Sequence, residues 1–281
     1  MRKLSVVLAA VALFAVLAAA QQQASDYYVD VYIVKVKPEK RAQFDTLVRQ
    51  VVEANSKNDG DVWLASETTY GEQNTIYFSS RRASFDAVEK ATAAFESALN
   101  KALGAENAKR WMQDWNDCLL SARAEMWRHR SDLSLGPTDP AEQAKLLGES
   151  RWLRTMAIQV RPGKTPEFEQ VVRTANDALR KADPHYVSMI RQSVVGTSGT
   201  VFYLTTPTSS FAAFDTMAGM PSFKELMGAQ NFQKWNAMVA ETVISSETRI
   251  ARLMPEYSNP PQEIIAAAPD FWQPATAEAR R

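Results

Sequence analysis

The sequence predicts an α+β chain: two β-α-β-β-α-β units in tandem, whose antiparallel sheets pack face to face. Three observations predict it. The first is internal repetition at a spacing of 124 residues: Pro38 matches Pro162, Phe44 matches Phe168, and Val48-Arg49 matches Val172-Arg173. Leu103-Gly104-Ala105-Glu106-Asn107 likewise falls on Met227-Gly228-Ala229-Gln230-Asn231, Trp111 on Trp235, Ser134 on Ser258 and Pro137 on Pro261. A period this long marks a duplicated domain and not a solenoid unit. The second is that the apolar period switches between strand-like and helix-like in the same order in both copies. The third is geometric: a four-stranded sheet with both helices on one face leaves its other face bare, and two such sheets cover each other.

Residues 28–36 alternate and are rich in β-branched and aromatic side chains, which reads as a strand ended by Lys37-Pro38. Phe44, Leu47, Val48, Val51 and Val52 then recur at helical spacing to about residue 58. Asp59-Gly60 turns the chain into a strand over 62–70, and Gly71-Glu72-Gln73-Asn74 makes a hairpin to a strand over 75–79. A helix over 84–103 has Ser84 as N-cap and Gly104 as stop. A further helix covers 105–117, and a strand over 119–128 closes the unit. The second copy repeats this with strands over 152–160, 186–195, 200–205 and 242–253, a helix carrying Phe168, Val171, Val172 and Ala175, and helices over 210–240 interrupted near Gly219-Met220-Pro221. The units therefore span 27–135 and 151–258. Gly136-Pro137-Thr138-Asp139-Pro140 opens a linker, 136–150, and the prolines beyond Met254 make 259–281 read as an extended tail.

At the N-terminus, Arg2 and Lys3 precede an apolar run, and Ala18-Ala19-Ala20 supplies a small-residue cleavage site, so 1–20 reads as a cleavable signal peptide and the mature chain as exported, periplasmic or secreted, with no membrane span after cleavage. Without Arg2 and Lys3 the chain has 30 basic and 32 acidic residues, a net charge of −2. That balance gives no electrostatic steering toward nucleic acid. Cys118 is the sole cysteine, which excludes an intramolecular disulfide, and its helical spacing with Trp111 and Trp115 reads as core.

No chemical motif stands out. There is no phosphate-binding glycine loop, Gly-x-Ser-x-Gly, His-Glu-x-x-His or Cys-x-x-Cys. His129 and His185 lack a second ligand at metal spacing, so no metal is expected. Charges do fall in the middle of otherwise apolar strands. Alternation groups Ser121, Arg123, Glu125 and Trp127, matched by Ser245, Glu247, Arg249 and Ala251. It also groups Trp63, Ala65 and Glu67, matched by Val187, Met189 and Arg191. If these sets line the space between the sheets, Trp63, Glu67, Arg123, Glu125, Arg191, Glu247 and Arg249 are the candidate ligand-binding residues. Two other placements stand beside that one: structural ion pairs filling the gap, and a solvated outer face, since a one-residue slip flips every side chain.

The element order is the ferredoxin-like arrangement, and with the duplication and the Leu103–Asn107 match the chain resembles the dimeric α/β-barrel superfamily over about residues 27–258. That superfamily includes antibiotic-biosynthesis monooxygenases, stress-responsive barrel proteins and the NIPSNAP group. The resemblance implies a pseudo-dimer within one chain, with further oligomerisation open. Some members, chlorite dismutases and dye-decolourising peroxidases, hold heme through a histidine; no matching context surrounds His129 or His185, so no cofactor is expected. Three functions are compatible with this reading. The first is a barrel that binds a hydrophobic or amphipathic small molecule, and the second is a cofactor-free monooxygenase- or isomerase-like enzyme using the charged residues above. The third is a structural or interaction protein with a filled barrel and an apolar patch near Phe271-Trp272.

Overall fold

A computed structural model describes residues 27–273. The expected signal peptide, 1–20, lies outside the described residues, as does the end of the expected tail, 274–281. The first half runs β1 (Tyr28–Val36), α1 (Arg41–Lys57), β2 (Leu64–Tyr70), β3 (Thr75–Arg82), α2 (Phe85–Leu103), α3 (Ala105–Asp117) and β4 (Leu119–His129). After α4 (Pro140–Glu149), the second half runs β5 (Trp152–Val160), α5 (Thr165–Ala182), β6 (Met189–Val195) and β7 (Thr200–Thr208). It continues with α6 (Ala213–Ala218), α7 (Phe223–Met227), α8 (Ala229–Thr242) and β8 (Val243–Leu253), and α9 (Gln262–Ala267) and α10 (Pro269–Trp272) follow.

The eight strands form one closed antiparallel barrel in the order β1-β3-β2-β8-β5-β7-β6-β4. Each half contributes four strands, and the β2–β8 and β4–β6 ladders join the halves. The two sheets are thus continuous at their edges as well as packed across the interior. Closure leaves no unpaired strand edge. The helices lie outside the barrel, so each strand has one face toward the axis and one toward a helix layer.

Local sequence accounts for the helices. In α1 the buried residues Phe44, Leu47, Val48 and Val51 make one apolar face. Ser84 caps α2 by accepting from the Ala87 N–H at 3.2 Å. Gly104, at φ 78° and ψ 152°, separates α2 from α3, and Gly228, at φ 77° and ψ 155°, separates α7 from α8. Glycine alone adopts that conformation without steric cost, which explains the matched glycines. Cys118 is buried in the first helix layer, and burial pushes its thiol above the ordinary range. Among the described residues no helix is long and apolar enough to cross a membrane.

Two segments differ from expectation. The 136–150 linker contains α4, capped by Asp139, whose carboxylate accepts from the Ala141 and Glu142 N–H groups. The tail is folded through residue 273: Ile264, Ile265 and Trp272 are buried with Leu253 against Leu64, Leu147 and Leu153, closing one end of the barrel. Trp272 donates to the Gly148 carbonyl at 2.9 Å, so no free apolar patch forms there. Gly148 has no room for a side chain, since a Cβ would lie 2.6 Å from Ala267 Cβ. Proline content misled the reading because Pro140 and Pro269 begin helices, where a missing N–H costs nothing.

Candidate functional site

Strand register decides which predicted residues face the axis. Val29, Val31, Ile33, Tyr77, Trp127 and Tyr203 pack together inside the barrel. Arg123 and Glu125 share the face of Trp127 on β4, and Arg191 stands opposite Tyr203. Glu247 and Arg249 pair with Ala157 and Thr155 on β5. These five point inward. Trp63 and Glu67 do not. Ser66 is the residue opposite Tyr77, so Trp63, Ala65 and Glu67 face the helices. Trp63 lies in the first helix layer and donates to the Tyr257 carbonyl at 2.7 Å. Glu67 takes both terminal guanidinium nitrogens of Arg41 on α1. Arg41 also binds Asp45 and the Tyr257 hydroxyl, whose pKa is pushed up to about 12 by burial and by its bond to Asp45. The cause of the misplacement is one residue. Ser66 and Arg191 hold equivalent places opposite Tyr77 and Tyr203, and 191 − 66 is 125, not 124. A single insertion reverses strand parity.

At the end that carries the β2–β3 and β6–β7 loops the interior opens into a cleft of about 330 Å³, lined by Arg123, Glu125, Gln159, Tyr203 and Glu247. Glu125 is buried there and accepts from Tyr203 OH at 2.6 Å, Trp127 Nε1 at 2.7 Å and Arg123 Nε at 2.9 Å. The Arg249 guanidinium lies 4.4 Å from the Tyr77 ring centre. Burial, and then the Glu125 bond, holds the Tyr203 hydroxyl far above the ordinary tyrosine range. Gly196 lets the β6–β7 loop touch β4, since a Cβ there would sit 2.2 Å from the Ala124 oxygen.

Arg191 is not part of this cluster. It lies toward the other end, where its register partner is His129. His129 stacks on Tyr27 at 4.6 Å, and its pKa is lowered to about 3 by burial and by Arg191 and Arg81. His129 Nδ1 and Arg191 Nε have no hydrogen-bond partner among the described residues. The candidate set therefore divides three ways: Arg123, Glu125, Glu247 and Arg249 together, Arg191 apart, and Trp63 and Glu67 outside.

A larger space lies elsewhere. Between the second-half sheet and α5–α8 lies a cavity of about 600 Å³, lined among others by Met156, Phe168, Leu204, Trp235 and Val239. In the first half the corresponding side chains, Phe44, Val48, Trp111 and Trp115 among them, are buried in one hydrophobic cluster with Tyr32, Phe78 and Phe95 packed against it. Register makes the comparison direct. Tyr32 pairs with Phe78 on β1–β3, and Met156 pairs with Leu204 on β5–β7. Trp111 donates to Leu47 O on α1, and Trp235 donates to Val171 O on α5. Trp115, one turn beyond Trp111, stacks on it at 5.2 Å and reaches Phe44 at 4.8 Å. One turn beyond Trp235 stands Val239, and three residues before Arg191 stands Ser188, where the first half has Trp63 before Ser66. The continuous α2, which carries Phe95 against Trp63 at 6.1 Å, is replaced by the short α6 and α7. Aromatic volume lost at four positions and a broken helix leave the hollow.

No family model matches the chain, and no curated protein matches it. Solved structures do. An anthrone oxidase-like protein superposes with a TM-score of 0.50 at 10% identity, covering 81% of this chain and 91% of that one. A putative monooxygenase from Lactobacillus acidophilus NCFM gives 0.46 at 7% identity, covering 84% and 97%. A heme-binding protein from Thermus thermophilus gives 0.44 at 10%, covering 83% and 92%. At these identities the likeness is one of fold. The fold is the dimeric α/β barrel that the sequence resembles, closed here within one chain.

Proposed function

We propose that the chain binds an apolar small molecule in the second-half cavity, and that its two halves are tandem copies forming the intramolecular counterpart of a dimer. The observation that carries the first part is the contrast between a packed first helix layer and a 600 Å³ hollow in the second. Ligand sites commonly occupy roughly 300–1,000 Å³ with mostly apolar walls. Met156, Leu204, Trp235 and Val239 on its walls are only half-buried, so an apolar body bound there takes their solvent-reached surface out of water.

Binding is favoured over catalysis by the lining. Its ionisable side chains are Arg154 and Tyr186, with no carboxylate or imidazole to act as a general base. The heme-binding neighbour raises heme as a ligand, but the lining does not fit a histidine-ligated heme: His129 is inside the barrel and His185 is outside the cavity. We also propose export, on the basic start, apolar run and alanine site of residues 1–20. The ligand reading is tested by titrating the protein with Nile red. Saturable one-site binding with a blue-shifted emission is expected, and native mass spectrometry should find a small molecule carried through purification. A non-saturating dye response together with a mass equal to the bare chain would refute it.

A further inference from the structure

The cavity has one unmatched charge. Arg154 on β5 faces the helix side, with Thr206 on β7 and Ile250 on β8 as its register partners, and all three line the cavity. No hydrogen bond or ion pair joins Arg154 to any described residue, although it is half-buried. A guanidinium is a permanent cation with a planar fork of donors; Arg82 and Arg130 hold carboxylates with theirs, Arg151 and Arg249 rest on aromatic rings, and Arg154 does neither.

The first half shows what belongs in this place. There Asp30 on β1 occupies the position of Arg154, with Ser80 opposite it where the second half has Thr206. Arg82 donates to both oxygens of Asp61, at 2.8 and 2.6 Å, and lies 3.7 Å from Asp30. That acid–base–acid set is self-contained. In the second half Thr208 takes the place of Arg82, opposite Trp152 as Arg82 is opposite Tyr28. Tyr186, two residues before Ser188, takes the place of Asp61, two residues before Trp63. Both carboxylates are gone and the one charge left has changed sign. It stands at the edge of an apolar hollow with two hydroxyl groups, those of Thr206 and Tyr186, lining the same wall.

Resting on the ligand reading of this cavity, we infer that its occupant is an amphipathic carboxylate, with the acid group on Arg154 and the apolar body against Met156, Leu204 and Trp235. The carboxylate restores the negative charge that Asp30 and Asp61 supply in the first half. Thr206 and Tyr186 are positioned on the lining to donate further hydrogen bonds, and the apolar walls supply burial.

The test uses 1-pyrenebutyric acid and its methyl ester as fluorescent probes, titrated against the full chain and against Arg154→Met, Arg154→Lys and Tyr186→Phe. The acid is expected to bind the unaltered protein roughly ten- to a hundredfold more tightly than the ester, the range of one to two charge-assisted hydrogen bonds. Arg154→Met should remove that preference while leaving ester affinity within about twofold, and Arg154→Lys should keep part of it, because charge remains but the fork is lost. Equal affinity for acid and ester, or an acid preference untouched by Arg154→Met, overturns the inference and leaves the cavity reading intact. Failure of both probes to bind overturns the cavity reading itself. Thermal melting of each variant separates loss of binding from loss of folding. Tyr186→Phe, which removes only a hydroxyl, keeps the test valid if an arginine variant does not fold.

Discussion

Replacing Val239 with tryptophan should fill the cavity and raise stability. In the first half Trp115 is buried among Phe44, Trp111 and Phe78, at ring distances of 4.8, 5.2 and 6.0 Å. The second-half counterparts of those three, Phe168, Trp235 and Leu204, already line the cavity beside Val239. A tryptophan in place of valine adds roughly 100 Å² of apolar surface to bury, about 2.5 kcal/mol at ~25 cal/mol per Å². Ordering the larger side chain removes about 1 kcal/mol of this. The net gain of about 1.5 kcal/mol corresponds to a rise in Tm of roughly 3–6 °C for a domain of this size. Scanning calorimetry of Val239→Trp measures the shift, and Nile red titration should show at least a roughly tenfold weaker site, about 1.4 kcal/mol. In a packed layer the same substitution destabilises by about 1–3 kcal/mol through overpacking. A lowered Tm would therefore refute the cavity argument. A raised Tm with unchanged dye binding would place the dye elsewhere.

Two other predictions concern the barrel interior. Glu125→Ala leaves the buried Trp127 and Tyr203 donors without an acceptor, which should cost about 3 kcal/mol in urea unfolding, whereas Glu125→Gln keeps an oxygen for both and should cost about 1 kcal/mol; equal costs would show that the carboxylate is not what satisfies them. His129 has a folded-state pKa of about 3, below its unfolded value near 6.5, so as pH falls below about 6.5 the unfolded state takes up the proton first and stability is lost until about pH 3. Between about pH 7 and pH 4.5 this amounts to about 2.5 kcal/mol. It should be missing from His129→Gln, and an imidazole NMR signal of His129 that titrates above about pH 5.5 would contradict it.

The fold was legible because its signals are local or periodic. The alternation of 28–36, the helical spacing of Phe44, Leu47, Val48 and Val51, and the paired Gly104 and Gly228 each report backbone geometry directly. The same holds for Arg123, Glu125, Glu247 and Arg249, whose strands keep the 124-residue offset: Val31 faces Glu125 as Thr155 faces Arg249. Trp63 and Glu67 were misplaced because one offset was carried across an insertion, and parity has no tolerance for that. The cavity was hidden for a different reason. A hollow is a property of volumes that meet from separate elements, so Trp115 against Val239 says nothing until Phe78 against Leu204 and Trp63 against Ser188 are known to surround the same point. The signal was in the repeat, in the pairs that fail to match. The tail was missed because proline content outweighed Ile264, Ile265 and Trp272, three apolar residues with a barrel end to cover.

Three of the charges that first draw the eye are already held. Glu125 accepts from three donors inside the barrel, Glu67 is held by both arms of Arg41, and Arg249 rests on an aromatic ring. Each is already engaged with another part of the chain, so a ligand that displaced those contacts would have to replace them at equal strength. Arg154 has no such contacts to lose, and the hollow lies beside it. A charge in mid-strand is therefore a poor marker of a site here. A better one is a position where two similar halves differ and the difference leaves a group unsatisfied. By that criterion the second helix layer, where the space that contrasts with the first layer lies beside Arg154, is the place we propose for the function.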